Sequence, residues 1–483
     1  MARIPQFLSI ERRPATTRPV SERVNDYREV AVLRAETDSQ AQASRCLNCG
    51  LPFCHWSCPL GNYVPDWNDF LARERWEDAY RVLQATNNMP EITARVCPAS
   101  CEYACVLGIN DGAVTIRENE LAVIEHAFRS GWVRARPPQR RTGKSVAVIG
   151  SGPAGLACAD QLNKVGHRVV VFERDDKPGG ILRYGIPDFK LEKWVIDRRL
   201  QVWRAEGVVF ITGMNVGIDY PASTLMKEFD AVCLAIGSRV PRDLPVEGRT
   251  LRGVHFAMEY LTQSNRRVMG ERMLDDRLID AKGKRVVVLG GGDTGADCVG
   301  TAHRQGAARV TQIELLPKPP EPGQHRSDDF WPNYPPTLKT SSSHEEGGVR
   351  EWAVLTKRFL GAGGSVKKLS CIRVAFDQRD SLGRIAMREL PGTEFEVSAD
   401  LVLLAMGFVA PESSGLVDAL QLPKDARGNL VTTPEQQTAV AKVFAAGDAR
   451  RGQSLVAWAV VEGRRAAHAI DTYLMGSSRL PRM

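Results

Sequence analysis

Seven of the eleven cysteines in this 483-residue chain lie between residues 46 and 105, and their spacing limits what that region can fold into. They form a Cys-x2-Cys-x4-Cys-x3-Cys run from Cys46 to Cys58 and a Cys-x3-Cys-x3-Cys run from Cys97 to Cys105. Closely spaced thiolates are soft ligands suited to iron–sulfur clusters, and each cubane takes four ligands. The pattern therefore predicts a loop-rich region holding two clusters, with one cysteine ligand missing.

Two other uses of these cysteines stay open, namely disulfides and zinc. Disulfides are rare in reducing compartments, and the first residues show no basic segment followed by an apolar one, as a secretory signal would. Zinc sites usually combine two short-spaced pairs into a closed set of four ligands. Pro59 follows Cys58 and Pro98 follows Cys97, as proline follows the last ligand of a bacterial ferredoxin run, which favours iron–sulfur clusters. The remaining cysteines are predicted to be core residues: Cys158, Cys233, Cys298 and Cys371.

Composition indicates a cytoplasmic globular protein of two to four domains. The chain is 43% hydrophobic and 25% charged, and no apolar run approaches the roughly 18 residues of a membrane span. The net charge of +7 includes a basic segment at residues 134–141, RARPPQRR. No aromatic-interleaved or helix-turn-helix pattern accompanies this segment, so we interpret it as a linker and expect neither nucleic-acid nor membrane partners.

A glycine-rich loop follows the first predicted strand, Ser145–Ile149, and begins a helix. In Gly150-x-Gly152-x-x-Gly155, the three glycines permit a tight turn, approach of the backbone to a pyrophosphate, and close helix–sheet packing. A carboxylate, Glu173, ends the next strand, where it would accept a hydrogen bond from an adenosine ribose. The predicted dinucleotide-binding residues are Gly150, Gly152, Pro153, Ala154, Gly155, Glu173 and Gly180.

A second loop of the same kind, Gly290-x-Gly292-x-x-Gly295, follows the strand RVVVL. The predicted binding residues here are Gly290, Gly292, Asp293, Thr294 and Gly295. Glu314 near the end of the next strand favours NADH, because a 2′-phosphate is usually held by a basic side chain. His303, Arg304 and Arg309 are close in sequence and would favour NADPH if they faced the ribose. The sequence alone does not decide between the two nucleotides.

The C-terminal segment indicates which nucleotide each loop binds. FAAGD at residues 444–448, followed by SLVA at 454–457, resembles the closing segment of flavoproteins with two dinucleotide sites. The resemblance implies that an aspartate contacts the ribityl chain of FAD and that the next helix points at the flavin ring. FAD would then occupy the first loop and NADPH the second. The residues assigned to FAD in this way are Gly447, Asp448, Ser454, Leu455 and Val456.

The whole chain resembles the small-subunit family of bacterial glutamate synthases, and more widely the related module of dihydropyrimidine dehydrogenase and NADPH-dependent ferredoxin oxidoreductases. The motifs that carry the resemblance are CLNCGLPFCHWSCPLGN, VCPASCEYACVLGI, GGGDTGADCVGTAHRQGA and TSSSHEEGGVREW. The resemblance implies an α/β fold in which a helical iron–sulfur domain precedes two Rossmann-like domains, the nicotinamide domain being inserted in the FAD domain. The implied domains are residues 1–140 for the clusters, 141–275 and 406–483 for FAD, and 276–405 for NADPH.

The resemblance also implies two [4Fe–4S] clusters and an eighth ligand, Glu120, in the segment VTIRENE. One cluster would be held by Cys46, Cys49, Cys54 and Cys105, and the other by Cys58, Cys97, Cys101 and Glu120. A carboxylate is an unusual ligand for a soft cluster, so the alternative stays open that Glu120 is a surface charge on a helix.

The implied function is electron input. The nicotinamide hydride would pass to FAD and its electrons singly to the clusters, with no side-chain nucleophile or acid–base pair required. A large subunit carrying FMN and an amidotransferase would then make glutamate. That amidotransferase uses an N-terminal cysteine, whereas this chain begins Met1-Ala2, outside the described residues. The alternatives are an NADPH:ferredoxin oxidoreductase, possibly a bifurcating one, and a docking subunit without hydride chemistry.

Overall fold

Two parallel five-stranded sheets form the centre of the molecule, and a helical region precedes them. The computed structural model describes residues 6–272, 274, 277–321, 331–333, 337–377 and 386–483. The Pro-rich stretch expected between residues 317 and 348 lies partly outside this set. Among the described helices, none combines the length and the apolar character that crossing a bilayer requires.

The N-terminal region consists of short helices separated by the cysteine loops. Its elements are β1 Thr16–Thr17, α1 Val20–Arg23, β2 Ala31–Val32, α2 Glu36–Ala43, α3 Phe53–Ser57, α4 Val64–Ala72, α5 Trp76–Thr86, α6 Pro90–Val96, α7 Ser100–Tyr103, a 3-10 helix Val106–Ile109 and α8 Ile116–Arg129. Residues 67–83 have a continuous helical periodicity in the sequence, but they form parts of two helices, because Glu74 has φ of +63°, which a right-handed helix does not contain. Trp67, Leu71 and Leu83 are buried together where α4, α5 and α8 meet.

The first sheet has the strand order β18-β6-β3-β4-β5, and all its strands are parallel. Its elements before the insertion are β3 Ser145–Ile149, α9 Pro153–Lys164, β4 Arg168–Phe172, α10 Ile181–Tyr184, α11 Lys193–Ala205, β5 Val209–Ile211, α12 Ala222–Glu228, β6 Ala231–Leu234 and β7 Val240–Pro241. Those after it are β17 Phe408–Ala410, α16 Leu416–Ala419, β18 Val443–Ala445, α17 Asp448–Arg451 and α18 Val456–Met475. The strands are apolar runs because helices cover a parallel sheet on both faces.

The second sheet, of order β11-β10-β9-β16-β8, is also fully parallel. Its elements are β8 Val254–Phe256, α13 Ala257–Val268, β9 Arg285–Leu289, α14 Asp293–Arg304, β10 Arg309–Ile313, α15 Ser342–Glu345, β11 Val349–Glu351 and β16 Leu401–Leu404. The elements β8 and α13 precede the expected boundary at residue 276, yet they pack with this sheet. Residues 275 and 276 are outside the described set, and the division into four domains remains a prediction.

An antiparallel sheet that the sequence did not predict lies between β11 and β16. Its strands are β12 Val354–Ala362, β13 Ser365–Phe376, β14 Met387–Glu389 and β15 Phe395–Ser398. The two chain crossings between the parallel sheets pair with each other, since β7 and β17 form an antiparallel two-stranded sheet. The second sheet is therefore inserted in the first through one narrow connection.

Buried ion pairs join the helical region to both sheets. The Glu91 carboxylate accepts two hydrogen bonds from Arg199 on α11, at 2.6 and 2.9 Å. Glu346 accepts hydrogen bonds from Arg23 on α1 and from Arg304 at the end of α14. The basic segment at 134–141 connects α8 to β3, and within it Arg141 donates a hydrogen bond to the carbonyl of His167 at 2.9 Å. These contacts agree with its interpretation as a linker.

Candidate cofactor sites

One continuous cavity of about 1820 Å³ joins the two glycine loops. Single small-molecule sites usually measure about 300–1,000 Å³, so this space is large enough for more than one ligand. Residues 97–99 of the helical region also line it, and they include the cysteine Cys97. The cavity therefore connects both dinucleotide loops with one of the two cysteine groups.

The first glycine loop has the geometry that its spacing predicts. Gly150 has φ of +100°, and a Cβ there would lie 2.4 Å from the carbonyl oxygen of Ala235. A Cβ on Gly155 would lie 1.9 Å from the carbonyl oxygen of Gly150, so α9 approaches the strand too closely for any side chain. Gly152 faces open space, with no atom within 4 Å of a Cβ, and this is where a pyrophosphate would approach the backbone.

The second loop repeats this geometry almost atom for atom. Gly290 has φ of +121°, and its Cβ would lie 2.3 Å from the carbonyl oxygen of Ala405. A Cβ on Gly295 would lie 2.3 Å from the carbonyl oxygen of Gly290, while Gly292 again faces open space. Both loops begin twelve-residue helices, α9 and α14, whose positive ends suit the negative charge of a pyrophosphate.

Fourteen of the predicted binding residues line the cavity, and three lie behind its wall. Those that line it are Gly150, Gly152, Pro153, Ala154, Glu173, Gly180, Gly290, Gly292, Asp293, Thr294, Asp448, Ser454, Leu455 and Val456. Gly155, Gly295 and Gly447 instead allow close packing, and a Cβ on Gly447 would lie 2.8 Å from the Ala154 side chain. Burial raises the pKa of Asp448 to about 6, although a 2.9 Å hydrogen bond from the Ser454 hydroxyl favours the charged form.

An ion pair across the cavity was missed in the sequence. Lys190, which precedes α11, lies 2.5 Å from Asp297 on α14, and both residues line the cavity. Burial raises the pKa of Asp297, and the Asp297 charge raises the pKa of Lys190 against the opposite effect of burial. The only signal in the sequence is a second aspartate in DTGAD, five residues from Gly292. The pair links the FAD region to the second dinucleotide loop.

The first cysteine group surrounds a small apolar cavity between α3 and the 3-10 helix. Its thiols are those of Cys46, Cys49, Cys54 and Cys105. Burial raises the pKa of the Cys54 thiol, and the neighbouring charges of Cys46 and Cys105 add to the rise. A bound metal would reverse this effect, because coordination stabilises the thiolate. The described cysteines form no disulfide.

The second group consists of Cys58, Cys97, Cys101 and Glu120. Burial raises the pKa of Cys58 to about 12 and that of Glu120 to about 7, and the charges of Glu120 and Cys97 contribute to the rise at Cys58. Glu120 is 8% exposed, so it is not the surface charge of the alternative interpretation. Its Oε1 accepts hydrogen bonds from the Thr93 hydroxyl at 2.6 Å and from the Asn87 amide at 3.1 Å. Both bonds end on Oε1, which makes Oε2 the better placed oxygen for an iron.

Zinc and iron–sulfur clusters require different arrangements of their ligands. Over the part of the chain that the structure describes, no three His, Cys, Asp or Glu side chains converge on one ion position. Zinc requires four ligands at about 2.0–2.3 Å from a single centre. In a cubane each ligand binds a different iron, so the four ligands stand further apart. The four cysteines predicted to lie in the core, Cys158, Cys233, Cys298 and Cys371, are all buried.

Comparison with known proteins agrees with this geometry. Residues 23–132 match the family described as dihydropyrimidine dehydrogenase domain II, 4Fe-4S cluster, and residues 144–328 and 373–463 match pyridine nucleotide-disulphide oxidoreductase. The predicted fold class, a helical iron–sulfur region followed by an α/β oxidoreductase fold, is thereby confirmed. FprA from Mycobacterium tuberculosis, solved in complex with NADPH, has a TM-score of 0.55 at 18% identity over 71% of this chain and 85% of that one, which shows a shared fold.

Two relatives match almost the whole chain. The glutamate synthase [NADPH] small chain of Mycobacterium tuberculosis strain H37Rv is 52% identical over 467 residues, covering 96% of this chain and 94% of the relative. The glutamate synthase [NADH] of Schizosaccharomyces pombe is 44% identical over 487 residues, covering 98% of this chain but 23% of that longer protein. On this similarity the chain belongs to the glutamate synthase small-chain family.

Proposed function

We propose that this chain is the electron-input subunit of a glutamate synthase, which oxidises NADPH and passes electrons to a larger partner that forms L-glutamate from L-glutamine and 2-oxoglutarate. The observation that carries this proposal is the single cavity that joins both dinucleotide loops to residues 97–99 beside a cysteine group. The fungal relative supports a larger partner, because this chain corresponds to only 23% of that protein.

The first loop, with Glu173, Gly180 and the return segment at Asp448, is assigned to FAD, and the second loop to NADPH. When bound, FAD would accept a hydride and the clusters would carry single electrons. The chain's own residues bind and orient: the N-termini of α9 and α14 attract the pyrophosphates, and the Lys190–Asp297 pair fixes α14 relative to the segment before α11 in the FAD region. No side chain is assigned a catalytic role, because hydride transfer requires only that the nicotinamide be held against the flavin and that water be excluded.

Two [4Fe–4S] clusters are assigned to the two cysteine groups, with Glu120 as the eighth ligand. The second group would lie nearer the flavin, because Cys97 lines the dinucleotide cavity. The first group lies closer to an exposed apolar surface. The ion pair of Glu91 with Arg199 supports this arrangement, since it fixes the helical region against the FAD region.

That apolar surface is the part of the chain that we assign to the partner. Residues 46–65 contain no Asp, Glu, Lys or Arg, in a chain that is 25% charged. Leu51, Trp56 and Ile109 are 69%, 67% and 57% exposed around the first cysteine group. Interface centres are depleted in charge and enriched in aromatic residues, so this surface suits docking of the large subunit.

The decisive experiment measures NADPH oxidation by this chain together with its co-purifying large partner, with and without 2-oxoglutarate plus glutamine. Oxidation that requires both substrates and yields glutamate would support the proposal. NADPH oxidation that is independent of 2-oxoglutarate and glutamine but proceeds with ferredoxin as acceptor would favour the ferredoxin oxidoreductase alternative. A flavin that NADPH fails to bleach would favour a docking subunit without hydride chemistry.

The docking surface has its own test. Trp56→Ser should leave NADPH oxidation by ferricyanide unchanged while glutamate formation with the partner falls at least tenfold, since exposed tryptophans at interface centres contribute strongly to binding. Trp194→Ser is the matched control, because Trp194 is a 49% exposed tryptophan on α11. Equal loss of glutamate formation in both variants would contradict this assignment of the surface.

A further inference from the structure

Each of the two dinucleotide loops is paired with an acidic residue of its own, and the two acidic residues accept equivalent pairs of backbone hydrogen bonds. Glu314 follows β10; its Oε2 accepts the N–H of Gly291 at 2.6 Å and its Oε1 accepts the N–H of Leu316 at 2.9 Å. Glu173 follows β4 and accepts the N–H groups of Ser151 at 3.1 Å and Asp175 at 2.9 Å. The second loop therefore holds a carboxylate where the FAD loop holds one.

This position faces the adenosine ribose of a dinucleotide bound in the usual way. A carboxylate at the end of the second strand accepts a hydrogen bond from a free 2′-hydroxyl, whereas a 2′-phosphate is normally accommodated by an arginine. Glu314 is half-buried and lines the cavity beside Gly291. Its two backbone hydrogen bonds hold the carboxylate in place, so it cannot swing away from a phosphate without exposing those N–H groups.

Three basic residues close to the second loop in sequence do not offset the charge of Glu314. The Arg304 side chain is fully buried and forms an ion pair with Glu346. Arg309 begins β10 and so lies at the opposite end of the strand from Glu314. Burial lowers the pKa of His303, which disfavours its charged form, and its ring lies beside Gly347 and Gly348. None of the three neutralises the carboxylate.

We propose that Glu314 discriminates between the nicotinamide nucleotides at the second loop, favouring the free 2′-hydroxyl of NADH and opposing the 2′-phosphate of NADPH. The chain then oxidises NADH as well as NADPH, and Glu314 lowers kcat/KM for NADPH. This inference rests on the proposed function only in taking a reduced nicotinamide nucleotide as the ligand of the second loop.

The test compares the two nucleotides in one protein. In Glu314→Gln, the ratio of kcat/KM for NADPH to kcat/KM for NADH, with ferricyanide as acceptor, should rise about tenfold or more, because a dianionic phosphate no longer faces a carboxylate. The amide oxygen of glutamine still accepts one backbone hydrogen bond. General damage to the loop affects both nucleotides and cancels in the ratio.

Binding provides a second measurement that needs no turnover. In the flavin-loaded wild-type protein, calorimetry should show 5′-AMP binding at least as tightly as 2′,5′-ADP, and Glu314→Gln should shift this preference toward 2′,5′-ADP by a similar factor. Because the wild-type measurement involves no variant, a Glu314→Gln protein that fails to fold leaves the proposal testable. Much tighter binding of 2′,5′-ADP by the wild-type protein would overturn it.

Glu351→Gln is the matched control. Glu351 ends the neighbouring strand β11, its carbonyl accepts the N–H of Glu314 at 2.8 Å, and its carboxylate pairs with Arg373 at 2.8 Å. We expect no change of ratio there, and equal changes in both variants would overturn the proposal, as would an unchanged ratio in Glu314→Gln. Failure to form glutamate with the partner would leave this ratio unaltered, so the two proposals fail separately.

Discussion

Replacing Glu346 by glutamine should loosen the attachment of the second sheet to the N-terminal region. The Glu346 carboxylate accepts a hydrogen bond from Arg23 at 2.9 Å and two from Arg304, at 2.6 and 3.0 Å. The exposed fractions of these side chains are 0% for Glu346, 1% for Arg23 and 0% for Arg304. Glutamine has nearly the same shape, but it removes the charge and turns an NH2 donor toward a guanidinium.

The cost can be estimated from burial. Removing one partner of a buried ion pair destabilises by about 3–5 kcal/mol, because the remaining charge is left buried and uncompensated. At roughly 1.4 kcal/mol per factor of ten, local opening should become about 100-fold to 4,000-fold more frequent. The measurement is hydrogen–deuterium exchange of the amides in α1, α14 and α15, because a chain with several cores has no single free energy of unfolding.

Glu345→Gln is the control for this prediction. Glu345 is the neighbouring residue and contacts the same arginine, Arg23, at 2.9 Å, but its side chain is 51% exposed. An exposed ion pair contributes about 0–1 kcal/mol, so exchange should change less than about tenfold. If the two variants exchange at equal rates, burial does not set the strength of this contact and the reasoning is refuted.

Three further predictions concern the cofactor sites. Glu120→Ala should lose or convert one cluster, whereas unchanged iron content and an unchanged cluster spectrum would exclude Glu120 as a ligand. Gly155→Ala should lower the melting temperature, because its Cβ would lie 1.9 Å from the carbonyl oxygen of Gly150, whereas Gly152→Ala, with nothing within 4 Å, should fold normally and retain at least tenfold less FAD after gel filtration. Burial raises the pKa of Asp448 from an ordinary 3.8 to about 6. The folded FAD-free chain therefore holds this proton more tightly than the unfolded chain, and the region around Asp448 should lose about 1–2 kcal/mol of local stability as the pH rises from about 4 to about 6, measured by hydrogen–deuterium exchange of the amides in α17 after correction for the intrinsic exchange rates. Asp448→Asn should remove that loss, and an identical pH dependence in both proteins would contradict it.

The parts of the fold that local chemistry determines were predictable from the sequence. The strands β3 and β9 have the predicted bounds, because a β-branched run directly before a glycine loop leaves little freedom in register. The two glycine loops were predictable for the same reason, since the first and third glycines of each loop meet a steric limit set within a few residues or by the adjacent strand. The apolar runs at residues 400–405 and 442–445 also indicate strands in the sequence, and β16 and β18 are shorter than these runs by only one or two end residues.

Features that depend on distant pairing were not predictable. The antiparallel sheet of β12 to β15 has an irregular burial pattern. In β12 the buried residues are Val354, Thr356 and Phe359, so buried and exposed side chains do not alternate strictly, and the usual sequence signal of a strand is missing. The strand β8 joins the second sheet through β16, about 150 residues later in the chain. The pair of Lys190 with Asp297 depends on how the two sheets are placed, which no local pattern encodes. The proposed division of eight residues between two clusters rests on a family resemblance, because spacing alone permits several divisions.

The narrow connection between the two parallel sheets has a consequence for how this architecture can be rearranged. Phe408 is paired with Pro241, and the N–H of Arg242 donates to the carbonyl of Gly407 at 2.9 Å, so the insertion leaves and re-enters the host fold at neighbouring backbone positions. Adjacent strands are about 4.8 Å apart, a gap that a short turn spans. Excising the insertion and closing the host with such a turn would therefore require little movement of the backbone of the first sheet. In the same way, a foreign module whose termini lie side by side is compatible with grafting at this point, which makes the site a natural junction for building new electron-transfer chains.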